Sequence, residues 1–565
     1  IKTWNYDSYF TTIHKMIIIN FFEIYIYLLL SILSCAGWGY QINKFFDFNL
    51  NTIFEKIFVG IVFYGFFALF FNFFISINFL VNITIFLIGL ILTIKLFKKK
   101  HYKIILLSAL FGTLTIIFDN VYRPDAGLYH LPYTKILNSE KIIFGISNIH
   151  ERFGFVSIIQ YMSAAFDHKI FNSNGIHFPS LIIYISVLFF FINNFFEKNN
   201  KNFIKILSLI FSIVILVDMN RYSEFGNDEP GHLILFYMTF LIISSLTQEY
   251  NKNELFKKML FLSVILFTIK SYNLVILLLL IIFYINHIKK IFLFNRGNIL
   301  SVLLILFWIG KNIIVSGCLI FPIKETCIAS LKWKNIDAEN TNLVIEAFAK
   351  GYDYSNNESN SKDYIQNFKW IDKWSKRHLP FVLKKISPVV LILSILVIFI
   401  MTRQLVKIRF NKTLIFYGII SLFQLITILL KVPSYRFFSG HLYVTIIYFI
   451  SPYLLNNNLD TKQFKILSYL LILCLTLVTF KNFNRINKNI NIDYIEYPWP
   501  RKNSSFVENS TNLNKEVKYM NNQNYHYYLT QKDPLCYYNK APCTSWEKKL
   551  DINFDYGYKI ITNHK

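Results

Sequence analysis

Residues 57–103, IFVGIVFYGFFALFFNFFISINFLVNITIFLIGLILTIKLFKKKHYK, hold two apolar runs, at 57–78 and 81–97, and end in a basic cluster at 95–103. An α-helix needs roughly 17 to 25 apolar residues to cross the hydrocarbon core of a bilayer. Of the 565 residues, 54% are hydrophobic and only 16% are charged, and the mean hydropathy is +0.41. Soluble domains have a more polar composition. These features predict an all-α polytopic membrane protein.

Apolar runs of about this length predict about fourteen transmembrane helices, several of them slightly shorter than the criterion. The predicted spans are 16–38, 57–78, 81–97, 103–118, 178–196, 203–217, 232–247, 257–270, 272–287, 298–316, 386–402, 413–430, 442–456 and 464–480. They make up a transmembrane domain over 16–480. The remainder, 481–565, is polar and contains YHYYLTQ and YKIITNH, which alternate as strands do, so we expect a small α/β region there.

The orientation of the chain follows from its lysines, because short basic loops stay in the cytoplasm. Five short connections are strongly basic, at 95–103, 197–205, 252–258, 287–296 and 403–412. The opposite face then carries two large loops, two turns and the C-terminal region, at 119–177, 317–385, 218–231, 431–441 and 481–565. We expect a bacterial inner-membrane protein whose active site faces the periplasm.

The formal net charge of +25 does not require a nucleic-acid partner. The excess lysine lies in the short inner loops, where it sets topology and contacts anionic headgroups of membrane lipids. Since the chain has no separate basic domain, we expect no nucleic-acid binding.

Four cysteines lie in segments predicted to face outward. Cys318 and Cys327 follow the tenth span, and Cys536 and Cys543 bracket CYYNKAPC. Closely spaced pairs in an oxidising compartment favour disulfide bonds. A zinc site is the alternative, but neither pair has the two-residue spacing of zinc ligands, and no histidine cluster accompanies them.

The segment FDNVYRPDAGLYHLPYTKILNSEKIIFGISNIHERFGF, residues 118–155, is strongly polar although it follows a span. Its apolar residues have helical spacing and Pro124 suits a first helical turn, so 124–138 is predicted to be an amphipathic helix on the membrane surface. Asp125, at the start of this helix, has two roles open to it: a general base or a helix cap. Asp119, at the end of the span, is a second acidic candidate.

A further acid and several cations belong to the other outer segments. The turn 221–233, RYSEFGNDEPGHL, carries Asp228, which either acts in the site or favours a helix N-terminus. Lys270 interrupts an apolar run, where a cation is a functional candidate or snorkels to the interface.

Arginine binds phosphate with paired donors, which makes Arg436 in VPSYRFFSG a candidate phosphate ligand. His150 and Arg152, in IHERFGF, are further candidates for the same work. Nucleotide-binding, zinc-protease and serine-hydrolase motifs are absent from the sequence, so it gives no support to those classes of protein.

The string PDAGLYHLPYTKILNSE, residues 124–140, resembles the first outer loop of GT-C glycosyltransferases, such as protein mannosyltransferases and bacterial aminoarabinose transferases. Three later strings resemble landmarks of a set of bacterial multi-span proteins near that superfamily: SGCLIFPI (316–323), VPSYRFFSG (432–440) and CYYNKAPCT (536–544). The resemblance implies an inverting transferase that moves a sugar from a polyprenyl-phosphate carrier to a glycan, lipid or protein acceptor.

By this resemblance Asp125 activates the acceptor hydroxyl, and Tyr129 and His130 shape the site. Asp228 would assist, whereas Lys270 and Arg436 would bind the carrier phosphate. GT-C loops often carry Asp-Glu, but here Ala follows Asp125, so the sequence establishes no cofactor. A divalent cation stays open and would need a second carboxylate from elsewhere, such as Asp228. An O-antigen polymerase or ligase, and a transporter or flippase of lipid-linked sugars, are the alternative functions.

Overall fold

The computed structural model describes residues 6–95, 99–116, 125–167, 175–220, 226–245, 251–352, 360–401, 412–455 and 459–489 of the helical part of the chain. In the C-terminal region it describes 515–517, 527–529, 535–536, 538, 541–544 and 548–563.

The described residues form α-helices joined by short 3₁₀ turns and one π-helical turn. The helices are α1 (Tyr6–Phe46), α2 (Ile53–Asn72), α3 (Phe79–Ile94), α4 (Lys99–Thr115), α5 (Leu131–Ser139), α6 (Ile158–Ala165), α7 (Phe178–Phe196), α8 (Asn202–Asp218), α9 (Asp228–Ser244), α10 (Lys252–Ile269), α11 (Leu277–His287), α12 (Arg296–Ser316), α13 (Ala338–Ala349), α14 (Ser361–Ile365), α15 (Trp370–Arg377), α16 (Leu379–Met401), α17 (Lys412–Lys431), α18 (Tyr435–Leu454) and α19 (Thr461–Asn489).

Among the described residues, 9 helices are long and apolar enough to cross a membrane, and two shorter apolar helices accompany them. The nine comprise α2, α12, α16, α17 and α18, most of α1 and α19, and the segments that contain α7 and α11. The chain is therefore a helical multi-pass membrane protein. The predicted spans 203–217, 232–247 and 257–270 overlap α8, α9 and α10, and the total of about fourteen stays a prediction.

The central and peripheral helices of the bundle differ in burial. In α9 every residue from Pro230 to Ser244 is buried, as expected for a helix that is apolar on all sides and surrounded by protein. In α16, by contrast, Leu391, Ile395 and Ile398 share one exposed face. This face is suited to contact lipid.

Small residues let the first helices approach closely. A Cβ atom at Gly60 of α2 would lie 1.8 Å from the carbonyl oxygen of Cys35 in α1. A Cβ atom at Gly37 of α1 would lie 2.0 Å from the carbonyl oxygen of Gly89 in α3. Close backbone packing of this kind is a main source of association between helices in lipid.

The described residues of the C-terminal region include five strands: β1 (Lys515–Val517), β2 (Tyr527–Leu529), β3 (Cys543–Thr544), β4 (Leu550–Asp555) and β5 (Tyr558–Asn563). β2 pairs with β1 antiparallel and with β3 parallel, and β4 and β5 form a hairpin. Phe144, in the first loop, makes two backbone hydrogen bonds with β5. The Phe144 N–H donates to the Lys559 carbonyl, and the Ile561 N–H donates to the Phe144 carbonyl, both at 2.9 Å. The hairpin is thus attached to the first loop.

Both predicted disulfide bonds are present, Cys318–Cys327 and Cys536–Cys543. Helix α19 runs to Asn489, past residue 480, where the transmembrane domain is predicted to end; this boundary stays a prediction. The C-terminal residues that the structure describes are in strands and irregular segments, so no helix of the expected α/β region lies among them.

The surface helix predicted over 124–138 is also corrected. The described part consists of a π-helical turn, Ala126–His130, followed by α5. Protein covers both faces of α5, since α6 packs on it and Tyr538 packs with Leu131. The apolar spacing indicated a helix correctly, but it could not show that the C-terminal region covers the more polar side.

Candidate functional site

A π-helical turn, Ala126–His130, begins directly after Asp125 and leads into α5. Pro132 lies in the first turn of α5 and has no backbone N–H to donate, which interrupts the regular helical hydrogen bonds there. The Leu131 N–H instead reaches back to the Ala126 carbonyl. Turns of this type are rare and occur mostly at functional sites. Asp125 makes no capping hydrogen bond, which removes the helix-cap interpretation.

The Asp125 carboxylate lies between two arginines. Arg152 Nη1 donates to Oδ1 at 2.9 Å, and Arg436 Nη1 donates to Oδ2 at 2.6 Å. Burial by itself would raise the pKa of Asp125, but the positive charges of Arg436 and Arg152 lower it to about 2. Asp125 is therefore ionised at neutral pH.

A second carboxylate is joined to the first through Arg436. Asp228, the first residue of α9, forms a hydrogen-bonded ion pair with Lys270, which follows α10. Arg436 Nε lies 3.9 Å from Asp228 Oδ2, so this guanidinium group reaches both acids. Because α9 packs against α10 and α18, the start of α9, the end of α10 and the start of α18 meet at one end of the bundle.

Aromatic side chains form one wall of this cluster. The centroid of the Tyr129 ring lies 5.5 Å from the guanidinium carbon of Arg152 and 4.1 Å from the centroid of the His130 ring. Lys270 Nζ lies 4.2 Å from the centroid of Phe437. Cations placed over aromatic faces are stabilised by the ring quadrupole. The rings therefore help to hold the cations in place.

His130 is almost completely buried, with 3% of its surface exposed. Burial lowers its pKa to about 3, so its imidazole is neutral at physiological pH. Its Nδ1 contacts the Gln160 amide nitrogen, which also lies 3.3 Å from Asn227 Oδ1, next to Asp228. His130, Gln160 and Asn227 thus form a neutral hydrogen-bonded group next to the charged side chains.

The structure brings together seven of the predicted site residues: Asp125, Tyr129, His130, Arg152, Asp228, Lys270 and Arg436. His150 has a different position, because its Nδ1 accepts the Arg152 N–H at 3.1 Å and caps the 3₁₀ turn Glu151–Phe155. It orients the backbone of Arg152, whose side chain binds Asp125, and its own role in substrate binding stays a prediction. Asp119 lies outside the described residues.

Three residues of this region were not identified from the sequence. Gln160 was missed because its only signal, the pair Ser157 and Gln160, marks a helix start. Tyr435 donates to Asp218 Oδ1 at 2.5 Å and so holds the first turn of α18, which carries Arg436. Asp218 and Tyr435 are 217 residues apart, and no local pattern joins them.

The segment near the Cys536–Cys543 disulfide packs on the π-helical turn. The Cys536 N–H donates to the Gly127 carbonyl at 2.9 Å. The Tyr538 hydroxyl lies 2.6 Å from Asp167 Oδ2 and 3.1 Å from Asn138 Oδ1. This part of the C-terminal region therefore supports the loop that carries Asp125.

The charges of the cluster favour an anionic ligand. Of the described residues, two carboxylates, Asp125 and Asp228, face three cations, Arg152, Lys270 and Arg436. No group of three His, Cys, Asp or Glu residues suited to a metal ion occurs among the described residues. Each acid already has a cationic partner, so a divalent cation would have to displace an arginine or a lysine. Paired arginine donors suit a phosphate group.

The comparison with protein families gives one match. A family model described as a domain of unknown function, DUF8201, matches residues 19–443. The matched range includes the seven clustered residues and ends before α19 and the C-terminal strands. No curated protein and no solved structure matches the chain.

Proposed function

The chain belongs to the DUF8201 family, and from its site we propose that it is a GT-C-type glycosyltransferase. It would move a sugar from a polyprenyl-phosphate carrier to a glycan, lipid or protein acceptor. The observation that carries this proposal is the placement of an ionised carboxylate, Asp125, against two arginines at one end of a membrane bundle. Such a site holds a carboxylate and two candidate phosphate ligands side by side.

The setting of the proposed reaction follows from the sequence. About fourteen spans, with their basic connections in the cytoplasm, would place the Asp125 cluster on the periplasmic side of a bacterial inner membrane. The resemblance of residues 124–140 to the first outer loop of GT-C enzymes supports the same side. A lipid-linked sugar would reach the cluster from the bilayer, and its acceptor would arrive from the periplasm.

In the proposed reaction the acceptor hydroxyl gives its proton to the Asp125 carboxylate. The acceptor oxygen then forms a bond to the anomeric carbon of the sugar, with inversion. The bond from that carbon to the phosphate oxygen breaks, and this oxygen keeps the electron pair. Arg436 and Lys270 would stabilise the charge on the leaving lipid phosphate. Tyr129 and the neutral His130 would shape the space for the sugar.

The direct test is transfer from a labelled donor. Full-length protein in lipid nanodiscs would receive polyprenyl phosphate carrying a radiolabelled sugar, with a cell-envelope fraction as acceptor. Loss of label from the lipid extract measures transfer. Because a general base contributes about two to four orders of magnitude, Asp125→Asn should lower the rate by about a hundredfold to ten-thousandfold.

The matched control is Asp372→Asn. Asp372 lies in the short helix α15, and its side chain is 75% exposed, so this variant should transfer at the wild-type rate. If the Asp125→Asn variant has a normal melting temperature and still transfers the sugar at the wild-type rate, the proposal is contradicted.

An O-antigen polymerase or ligase is the second candidate, because two arginines flank the central acid. Enzymes of that kind rely on arginine and not on an aspartate base. Arg436→Ala should therefore abolish polymerase or ligase activity while Asp125→Asn spares it. For a GT-C transferase, Asp125→Asn should be the more damaging change, and Arg436→Ala should raise the KM for the donor and also lower kcat, because Arg436 would stabilise the leaving phosphate.

A further inference from the structure

Both oxygens of the Asp125 carboxylate are engaged by arginines that come from distant parts of the chain. Arg152 belongs to the 3₁₀ turn Glu151–Phe155, and Arg436 belongs to the first turn of α18. A carboxylate in this position is a poor proton acceptor, since the arginine charges outweigh burial and its pKa lies near 2. The described state is therefore not one in which Asp125 can act as a base.

We propose that Arg152 and Arg436 form an anion site, which Asp125 fills in the free protein, and that the phosphate of a lipid-linked donor displaces it. Displacement frees the carboxylate to receive the proton of the acceptor hydroxyl. This inference rests on the proposed transferase function and adds an order of events to it. The donor binds first, and the acceptor becomes reactive only after the exchange.

A phosphodiester matches the group that it replaces. Each arginine donates to a different oxygen of the carboxylate, and the two non-bridging oxygens of a phosphodiester offer the same pair of acceptors. The Arg436 side chain is 47% exposed and that of Arg152 is 28% exposed, so a ligand can reach both. A phosphodiester carries one negative charge, as Asp125 does. The exchange therefore keeps the charge beside the arginines unchanged.

The transfer step strengthens the new pairing. When the bond between the anomeric carbon and the phosphate oxygen breaks, the lipid phosphate gains a second negative charge. The arginines then bind it more strongly than they bound the donor, and interactions that grow in the transition state raise the rate of the chemical step. Asp125, without its two arginines, can accept the proton that the acceptor oxygen loses.

Asp228 should not leave the cluster in the same event. Its Oδ1 is paired with Lys270, and its Oδ2 is 3.9 Å from Arg436 Nε, a longer contact than Asp125 makes with the same arginine. Its side chain is 18% exposed, against 27% for Asp125. Asp228 therefore provides a matched control, because it has the same charge in the same cluster but a different main partner.

The test measures the binding of polyprenyl phosphate to full-length protein in nanodiscs of neutral lipid. Without a competing carboxylate charge, Asp125→Asn should bind this probe about tenfold more tightly than the wild type, or better. Asp228→Asn should gain less, because Lys270 is its main partner. An unchanged or lower affinity for Asp125→Asn overturns the proposal. An equal gain in both variants also overturns it, since net charge alone would then explain the result.

Two further variants keep the outcome clear. Asp125→Ser removes the same charge with a smaller side chain and should show the same gain, so the test does not depend on one variant folding. In an Arg436→Gln background the gain from Asp125→Asn should be mostly lost, because one of the two contested donors is absent. A gain of full size in that background contradicts the exchange.

Other probes identify the source of the phosphate. Inorganic phosphate and nanodiscs rich in phosphatidylglycerol should compete weakly with polyprenyl phosphate, and competition at equal concentration would overturn the assignment to a lipid-linked donor. The two proposals also fail separately. Transfer by the wild type without tighter binding by Asp125→Asn removes only the exchange. Tighter binding without transfer from any donor supports the anion site and removes the transferase.

Discussion

Two ion pairs lie at opposite ends of helix α10, and they differ in what surrounds the acid. Near the start of α10, Lys258 lies 2.9 Å from Glu55 of α2. Just after its end, Lys270 pairs with Asp228 of α9. At the helical rise per residue the two lysines are about 18 Å apart. One helix thus connects a pair with a structural role to a pair in the candidate site.

The Glu55 carboxylate has a full set of partners. Its Oε1 accepts from Lys258 at 2.9 Å and from the Tyr237 hydroxyl at 2.7 Å. Its Oε2 accepts the backbone N–H groups of Asn51 and Thr52, each at 2.9 Å. Only 4% of the side chain is exposed. The charge of Glu55 is balanced by that of Lys258, and its other partners are neutral donors, so this pair has no excess charge that would attract an ionic ligand.

The cluster at the other end is unbalanced and more open. Among the residues that the structure describes there, two acids share three cations, and Arg436 keeps 47% of its side chain exposed. Asp125 makes no capping bond, so its position does not serve the local helix. The comparison teaches that burial of an acid–base pair does not by itself mark a functional site. Excess charge and an exposed donor are the features that separate the two ends of α10.

The largest expected effect on stability tests this difference. Glu55→Gln leaves Lys258, which is only 13% exposed, without its charged partner. Breaking a buried pair in this way costs about 3–5 kcal/mol, and the melting temperature in detergent should fall strongly. Asp125→Asn should lower it much less, because water can reach its arginines. Equal losses of stability in the two variants would contradict the distinction.

A smaller effect is expected from the support of Arg436. Tyr435→Phe removes the hydroxyl that bonds Asp218 at 2.5 Å and Tyr443 at 3.0 Å. The first turn of α18 should then position Arg436 less well, so the KM for the donor should rise and kcat should fall, which together lower kcat/KM by about tenfold. Tyr469→Phe, at a residue that is 70% exposed, is the control. A drop in kcat alone would argue against this positioning role.

The smallest expected effect concerns pH. Burial lowers the pKa of His130 to about 3, whereas a histidine in the unfolded chain has a pKa near 6.5. Between these values the unfolded state binds the extra proton, so stability falls as the pH falls below about 6.5. Over one pH unit in this window His130 contributes a loss of about 1 kcal/mol.

The free energy of unfolding should fall between pH 7.5 and pH 5.5 in the wild type. In His130→Asn it should fall less over the same interval. The pKa of Asp125, lowered to about 2, leaves this carboxyl ionised throughout that window, so it adds nothing to the difference. An identical pH dependence in the wild type and the variant would show that His130 is not held neutral.

Much of the cluster could be found from local sequence patterns. Asp125, Tyr129 and His130 belong to one short motif, and Lys270 is conspicuous as a cation beside an apolar run. Gln160 and Tyr435 could not be found in this way, because their roles depend on partners far away in the chain, such as Asn227 and Asp218. His150 shows how tertiary contacts add to a local motif, since its Nδ1 accepts the backbone N–H of Arg152 while the Arg152 side chain binds Asp125.

Hydropathy, helical period and cysteine spacing are local properties, so the membrane class, the spacing of most helices and the two disulfide pairs could be predicted from the sequence. Tertiary structure alone decided that Arg152 and Arg436, 284 positions apart by their numbers, bind the two oxygens of one carboxylate. It also decided that the C-terminal segment covers the π-helical turn. The physical reason is that the pairing of charges depends on which helix ends meet, and helix packing fixes this through contacts that no local pattern encodes.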